Sequence, residues 1–246
     1  MRGPPGLCLV PPWRVVPVIA FAHRGARTEA PDNSLAAFRR ALDLGASGLE
    51  TDARLAAGEV VLAHDPVLRR GLRRIRVSEQ SPEALAALGV PRLAEVYAQL
   101  GTGFECSVDC MVPAAARPII AVARAAGAAE RLWLCSPDVD LLVGLRDEAP
   151  EVRLVHSPGR DAPPAPAMER HAAELARLGL DAMNLHHTAW SGGLVSLFQR
   201  FGLRAFAWDA QEHRQLRAVL RMGVDGIYGD RVDRMVAAIA EWATGG

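Results

Sequence analysis

Short apolar runs alternate with segments of helical periodicity through most of the 246-residue chain, and this alternation restricts the possible folds more than any other feature. Strands are predicted at residues 16–22, 47–52, 104–109, 131–135, 152–156, 181–185, 203–208 and 224–228. Helices are predicted between them and after the last one, at 34–44, 92–100, 114–126, 138–147, 168–178, 192–201, 212–222 and 231–243. The pattern predicts an α/β fold, a (β/α)8 TIM barrel.

One segment interrupts this rhythm after the second predicted strand. The run ARLAAGEVVLAHD has Gly58 between two alternating stretches and is too short for a helix, which predicts a β-hairpin. Residues 69–91 are predicted to continue as an excursion over the barrel mouth. We therefore expect one domain over residues 1–246, with an N-terminal extension at 1–15 and a hairpin and loop insertion at 53–91.

Charge and residue types exclude several classes of function. The 28 basic and 28 acidic residues balance, so no overall field attracts the chain to nucleic acid or to an anionic membrane. Every basic residue is arginine, and the absence of lysine excludes Schiff-base and pyridoxal-phosphate chemistry.

The cysteines and the N-terminal residues bear on the compartment. Four cysteines without a CxxC pair do not form a disulfide framework, which favours a reducing environment. Prolines interrupt the first twenty residues and no long apolar run follows, so neither a signal peptide nor a transmembrane span is predicted. The expectation is a cytoplasmic protein without stable membrane insertion.

Acidic side chains follow the predicted strands at the ends where parallel barrels hold their active sites. Glu50 and Asp52 are two residues apart and share one strand face, and Asp109 lies at the end of the third barrel strand. Buried carboxylates repel one another unless a cation lies between them. The three residues therefore predict ligands of a hard divalent ion, Mg²⁺ or Ca²⁺.

Two histidines accompany these carboxylates. His23 ends the first strand, and His64 follows the hairpin. Imidazole titrates near neutral pH, so the pair is predicted to act as general acid and base. A phosphodiester needs such a pair on opposite sides, together with a metal and an arginine.

Structural explanations compete for several other residues. Cys106 and Cys110 are expected to face the packed helices, where cysteine behaves as a small hydrophobe. Asp32 and Asn33 precede an apolar-periodic helix, and helix capping explains them at least as well as substrate contact.

Aromatic residues near the ends of the sixth and seventh strands have two possible roles. His186 and His187 are adjacent, so at most one can line the mouth, and both a pocket role and a structural role stay open. Trp208 is assigned to packing against the non-phosphate part of a ligand, with a place in the barrel-top core as the alternative.

The segments HRGARTEAPDNSLAAF, GLETD, VVLAHDPVLRR, SVDC and WDA…GVDGIYGD together resemble the glycerophosphodiester phosphodiesterase family over about residues 17–240. The resemblance implies a metal held by Glu50, Asp52 and Asp109, acid and base roles for His23 and His64, and phosphate contact from Arg24. It also implies a small-molecule substrate, a glycerophosphodiester that is hydrolysed to glycerol phosphate and an alcohol such as choline or ethanolamine.

The chain departs from the family pattern in four places. Asp109-Cys110-Met111 replaces the family's Glu-x-Lys, which removes a phosphate-binding lysine. Trp208-Asp209-Ala210 and Tyr228-Gly229-Asp230 replace WTxN and ITD, and Pro31-Asp32-Asn33 replaces PEN. If their loop folds over the site, arginines could restore the lost charge: Arg69, Arg70, Arg73, Arg74 and Arg76.

Three alternatives stay open beside an active glycerophosphodiesterase. One is a phosphodiesterase acting on lysophospholipids or another diester. Another, motivated by Met111, is a homologue that binds phosphodiesters with weak or no turnover. A metal-dependent amidohydrolase is less favoured, because histidine ligands dominate such sites and carboxylates dominate here.

Overall fold

The chain folds into a closed barrel of parallel strands surrounded by helices. The computed structural model describes residues 17–71 and 73–245. The strands are β1 (Ile19–His23), β2 (Gly48–Ala56), β3 (Glu59–Leu62), β4 (Val67–Arg70), β5 (Arg73–Arg76), β6 (Glu105–Cys110), β7 (Leu132–Ser136), β8 (Arg153–His156), β9 (Ala182–His186), β10 (Arg204–Trp208) and β11 (Gly226–Gly229). Strand β1 pairs with both β2 and β11, which closes the barrel through β6, β7, β8, β9 and β10.

Helices follow the barrel strands as the sequence predicts. They are α1 (Leu35–Asp43), α2 (Pro82–Ala86), α3 (Leu93–Leu100), α4 (Ala116–Ala125), α5 (Val139–Arg146), α6 (Met168–Arg177), α7 (Gly192–Arg200), α8 (His213–Met222) and α9 (Val232–Ala243). Within the described part of the chain, none of them combines the length and the apolar character that crossing a bilayer requires. The predicted (β/α)8 barrel is confirmed, while the expected extension at 1–15 lies outside the described residues.

The predicted hairpin is formed by β2 and β3. It turns at Ala57 and Gly58, whose φ angles of 48° and 83° lie in the left-handed region. The rest of the insertion contains the antiparallel pair β4 and β5 and the short helix α2. A small apolar cluster, which includes Val61, Val77 and Leu85, packs this insertion against the hairpin.

Aromatic rings fill the middle of the barrel interior. They belong to Phe21, Trp133, Phe206 and Tyr228. Phe21 stacks on Tyr228 with ring centroids 4.6 Å apart, and Trp133 meets Phe206 edge to face at 4.9 Å. Gly48 makes room for this layer, because a Cβ atom there would lie 2.6 Å from the Phe21 ring. The interior is therefore closed at mid-height and open towards both ends.

A second core lies between the strands and the helices. Cys106 and Cys110 are buried in it, on the side that the alternation of strand residues predicts. Cys135 instead points into the barrel beside the aromatic rings. Alternate residues of one strand thus pack in two separate cores, one inside the barrel and one under the helices. The carboxylates lie above the core inside the barrel.

Candidate active site

A tight turn at the end of β1 places His23 and Arg24 at the barrel mouth. Arg24 has a φ of 55° and Gly25 a φ of 79°. Residue 25 must be glycine for a second reason, since a Cβ atom would lie 2.6 Å from the backbone of Ala37. The turn directs the backbone N–H of Arg24 to Glu50, whose side-chain oxygen accepts at 2.8 Å.

The three acidic residues predicted from the strand pattern lie together. Asp52 on β2 is the register partner of Asp109 on β6, and Glu50 is one pleat below on the same face. One oxygen from each of Glu50, Asp52 and Asp109 lies within 4.8 Å of the others. Glu50 and Asp52 are buried, whereas Asp109 is half-buried at the edge of the cluster.

Burial and mutual repulsion disfavour negative charge on these carboxyls. Burial, followed by the charges of Asp52 and Asp109, raises the pKa of Glu50 well above its ordinary value. Burial and the charge of Asp52 raise the pKa of Asp109 to about 6. A divalent cation would reverse both effects, and carboxylate oxygens are the ligands that Mg²⁺ and Ca²⁺ prefer. The donor set therefore fits such an ion.

Asp52 is held by residues from the loop after β1. The Arg24 guanidinium forms an ion pair with it at 2.9 Å, and the Asn33 amide donates to the same carboxylate at 3.0 Å. Asn33 also accepts from the Thr51 hydroxyl at 2.6 Å. The capping interpretation of Asn33 was wrong, because Ser34 caps α1 by accepting from the backbone N–H of Ala37. Asn33 instead orients a carboxylate of the site.

His23 is oriented by an aspartate from the far end of the chain. Its Nδ1 lies 2.7 Å from Oδ1 of Asp230. Burial alone would raise the pKa of Asp230, but the hydrogen bond from His23 and the charges of His23, Arg27 and Arg24 hold it below its ordinary value. The ionised carboxylate can only accept, so the proton is on Nδ1. Nε2 is left 3.9 Å from Glu50, facing the carboxylate cluster.

His64, which follows β3, has the same arrangement of imidazole and aspartate. Its Nδ1 lies 2.8 Å from Oδ1 of Asp65, and its side chain is exposed. The guanidinium of Arg54 donates to the backbone carbonyls of Ala63 and His64. Arg54 shares a strand face with Glu50 and Asp52, since the three alternate along β2. Arg54 was not among the site residues predicted from the sequence.

A second part of the mouth surrounds Trp208. The indole of Trp208 meets His186 edge to face, with centroids 4.6 Å apart. His186 also pairs with Asp209 at 3.2 Å. Both aromatic residues line a cavity of about 390 Å³ together with Arg160 and Thr188. Trp208 packs against the aromatic interior as well, which is the core position considered for it, and its contact with a ligand stays a prediction.

The arginine run of the insertion makes no ion pair with the carboxylate cluster within the described residues. All five side chains, Arg69, Arg70, Arg73, Arg74 and Arg76, are exposed. Arg70 donates to the carbonyl of Leu88, and Arg76 pairs with Glu79. These contacts remain within the insertion, and they give no support to the idea that the run replaces the lysine missing at Met111.

Comparisons with known proteins agree with this geometry. The profile of the glycerophosphoryl diester phosphodiesterase family matches residues 23–234. The chain belongs to this family. Its members are phosphoric diester hydrolases. A glycerophosphodiester phosphodiesterase of Caldanaerobacter subterraneus is 24% identical over 243 residues, which span 89% of this chain and 96% of the relative.

Solved structures of glycerophosphodiester phosphodiesterases share the barrel. The enzyme from Thermotoga maritima has a TM-score of 0.77 at 22% identity, covering 89% of this chain and 97% of its own. A phosphodiesterase of Oleispira antarctica, solved in complex with the product sn-glycerol-3-phosphate, has a TM-score of 0.75 at 20% identity and covers 90% and 96%. At these identities the likeness concerns the fold.

The repulsion among the carboxylates predicts how Asp109→Asn behaves without metal. Since the pKa of Asp109 in the folded chain is raised to about 6, its ionisation destabilises the fold above that pH by about 1–3 kcal/mol and has no effect below its ordinary pKa. Asp109→Asn should therefore raise the melting temperature of the chelated protein at pH 8. It should also abolish most of the stabilisation that Mg²⁺ or Mn²⁺ gives the wild type, measured by differential scanning calorimetry.

Asp43→Asn is the matched control for this measurement. Asp43 is exposed at the end of α1, so its loss should change neither the melting temperature nor the metal response. A D109N protein that responds to metal as the wild type does would contradict the cation site.

Proposed function

We propose that this chain hydrolyses glycerophosphodiesters to glycerol phosphate and an alcohol, with the help of a divalent metal ion. The observation that carries the proposal is the cluster of Glu50, Asp52 and Asp109, whose oxygens lie within 4.8 Å of one another beside an imidazole held by Asp230. Family membership supports the reaction class, and the Oleispira antarctica complex supports the product class.

The cation would be held by the three carboxylates, which have oxygen atoms left for it. In Glu50, Oε2 accepts from the Arg24 backbone, and in Asp52, Oδ2 is engaged by Arg24 and Asn33. The other oxygen of each group remains for the ion. When bound, a divalent cation supplies positive charge to a non-bridging phosphate oxygen as the transition state forms.

The histidines would move the protons of the reaction. In His23 and His64 alike, an aspartate binds Nδ1, which leaves Nε2 to exchange a proton with the substrate. One imidazole removes the proton from the attacking oxygen, which belongs to water or to the glycerol hydroxyl of the substrate. The other donates a proton to the leaving alkoxide. If water attacks, the two imidazoles return to their starting states by proton exchange with solvent; if the glycerol hydroxyl attacks, a cyclic phosphate forms, and water opens it with the two proton roles reversed.

Arg54 would provide the positive charge that orients the phosphate. Arg24 and Arg27 are already paired with carboxylates, Asp52 at 2.9 Å and Asp230 at 3.5 Å. Within residues 17–71 and 73–245, by contrast, no carboxylate oxygen lies within the 4.0 Å ion-pair distance of Arg54, which binds neutral carbonyls. Its charge is therefore the least neutralised of the three, and a phosphate can bind it in a bidentate manner.

The alcohol part of the substrate would occupy the cavity beside Trp208. Its volume of about 390 Å³ is in the range of small-molecule sites. The faces of Trp208 and His186 offer an apolar and π-rich wall to a choline or ethanolamine group.

The central test is turnover by the chelated protein after metal is restored. Glycerophosphocholine should release glycerol phosphate and choline only when Mg²⁺, Ca²⁺ or Mn²⁺ is added, measured by coupled assay of both products. His23→Gln and His64→Gln should each lower kcat by about 10²–10⁴-fold, because each removes one proton-transfer group.

His213→Gln serves as the control, since His213 is exposed on α8 and should leave kcat unchanged. If the protein cleaves lysophosphatidylcholine and not glycerophosphocholine, its substrates are lysophospholipids. Binding of diesters without turnover at any metal concentration would make the chain a binding protein and end the hydrolase proposal.

The role of Arg54 predicts a specific rescue. Arg54→Gln should lower kcat/KM by about 10–100-fold through loss of a charged phosphate contact. The backbone N–H of Met111 donates to the carbonyl of Ala53, so residue 111 is next to residue 54 across the two strands. M111K introduced into R54Q should therefore restore much of the activity, as measured by steady-state kinetics.

Rescue by M111K distinguishes a role of the Arg54 charge in phosphate binding from a role of Arg54 in holding the backbone. If Arg54 only held the backbone at His64, M111K would not compensate for its loss. Arg69→Gln, an exposed arginine of the insertion, is the matched control and should retain wild-type kinetics. Wild-type kcat/KM in R54Q would refute the assignment of Arg54 and leave the reaction itself standing.

A further inference from the structure

A second cavity opens at the other end of the barrel, where the strands begin. It has a volume of about 510 Å³. Its polar lining comes from Ser47, Glu105, Arg131, Arg153 and Arg204, and apolar side chains such as Ile19 and Phe104 complete it. We call it the basal cavity. The aromatic layer, including Trp133, lies between it and the carboxylate cluster at the mouth.

Two arginines of the basal cavity lie close to the indole ring of Trp133. The guanidinium carbons of Arg153 and Arg204 lie 4.8 Å and 5.2 Å from the centroid of the Trp133 ring. Burial, and next the charge of Arg153, lower the pKa of Arg204 below its ordinary value. Two like charges held beside the same ring repel each other, and the cation–π contact offsets only part of that cost.

Acidic residues act on this pair only from beyond ion-pair distance, where Asp225, Glu105 and Asp181 each tend to raise the pKa of Arg204. Within residues 17–71 and 73–245, no carboxylate oxygen lies within 4.0 Å of Arg153 or Arg204, and Arg153 donates to the neutral carbonyl of Glu130. Glu105 accepts from the indole N–H of Trp133 at 2.7 Å and lies 3.4 Å from Arg131. Residues 1–16 contain no aspartate or glutamate.

The nearest other acids are engaged elsewhere. Asp181 pairs with Arg146 at 2.9 Å and accepts from the backbone of Leu154. Asp225 accepts from the backbone of Ala205 and from Gln199. The basal cavity therefore holds three guanidinium groups against the single carboxylate of Glu105.

We propose that the basal cavity binds a small phosphate monoester dianion between Arg153 and Arg204. Two guanidinium forks match the oxygens of a phosphate, and a dianion would turn their repulsion into attraction. The apolar wall formed by Ile19 and Phe104 would take the organic part of the ligand. Such a ligand bridges β8 and β10 and stabilises the barrel without touching the site at the mouth.

The test is calorimetric titration of the full chain in chelator, with inorganic phosphate and with glycerol 3-phosphate as probes. One saturable site that does not require Arg54 is expected. Arg204→Gln and Arg153→Gln should weaken binding at least about tenfold, because each removes a charged bidentate contact. Arg39→Gln, an exposed arginine of α1, should bind as the wild type does. Arg54→Gln, which removes the phosphate contact proposed at the mouth, should leave the affinity at the basal cavity unchanged, which separates the two sites.

The two probes distinguish the source of the ligand. Tighter binding of glycerol 3-phosphate indicates an organic monoester that uses the apolar wall, and equal affinities indicate free phosphate. Arg204→Lys keeps the charge and loses the fork, so it should be stably folded and still bind more weakly than the wild type. Absence of saturable binding to the wild type, or unchanged affinity in both Arg204 variants, would overturn the proposal.

Discussion

Three carboxylates in a small, largely buried space repel one another, which makes negative charge on them costly without a cation, and the organisation of the barrel mouth depends on this constraint. Glu50, Asp52 and Asp109 lie close enough to raise the pKa values of Glu50 and Asp109. The loop after β1 adds donors that partly offset the repulsion, from the Arg24 backbone and the Asn33 amide. The strain that remains is what a divalent ion would relieve on binding.

The two ends of the barrel differ in charge. Arg153 and Arg204, at the starts of β8 and β10, line the basal cavity, whereas Glu50, Asp52 and Asp109 on β2 and β6 form the acidic cluster at the mouth. The aromatic layer between the ends, in which Phe21 stacks on Tyr228, excludes water from the middle of the barrel. The Tyr228 hydroxyl bonds Ser107 at 3.1 Å just below the carboxylates. This layer lies between the carboxylate cluster and the basal cavity.

Periodicity made the barrel predictable, because strands buried on both faces and amphipathic helices leave distinct patterns. The carboxylates followed from a local rule, that residues two apart share a strand face. Contacts across the chain could not be predicted in this way. His23 and Asp230 are 207 residues apart, and Asn33 reaches Asp52 only because its own backbone adopts a left-handed φ of 54°. Arg54 was overlooked, since a single arginine in a hairpin has no pattern that distinguishes it.

Anomalous diffraction from crystals soaked in Mn²⁺ tests the central claim most directly. One strong peak is expected among the carboxylates of Glu50, Asp52 and Asp109, at coordinating distances of roughly 2.0–2.6 Å from an oxygen of each. The peak should vanish in D109N crystals treated identically. A wild-type map without a peak at this position, or with manganese bound only by other residues of the mouth such as His186 and Asp209, would contradict the account.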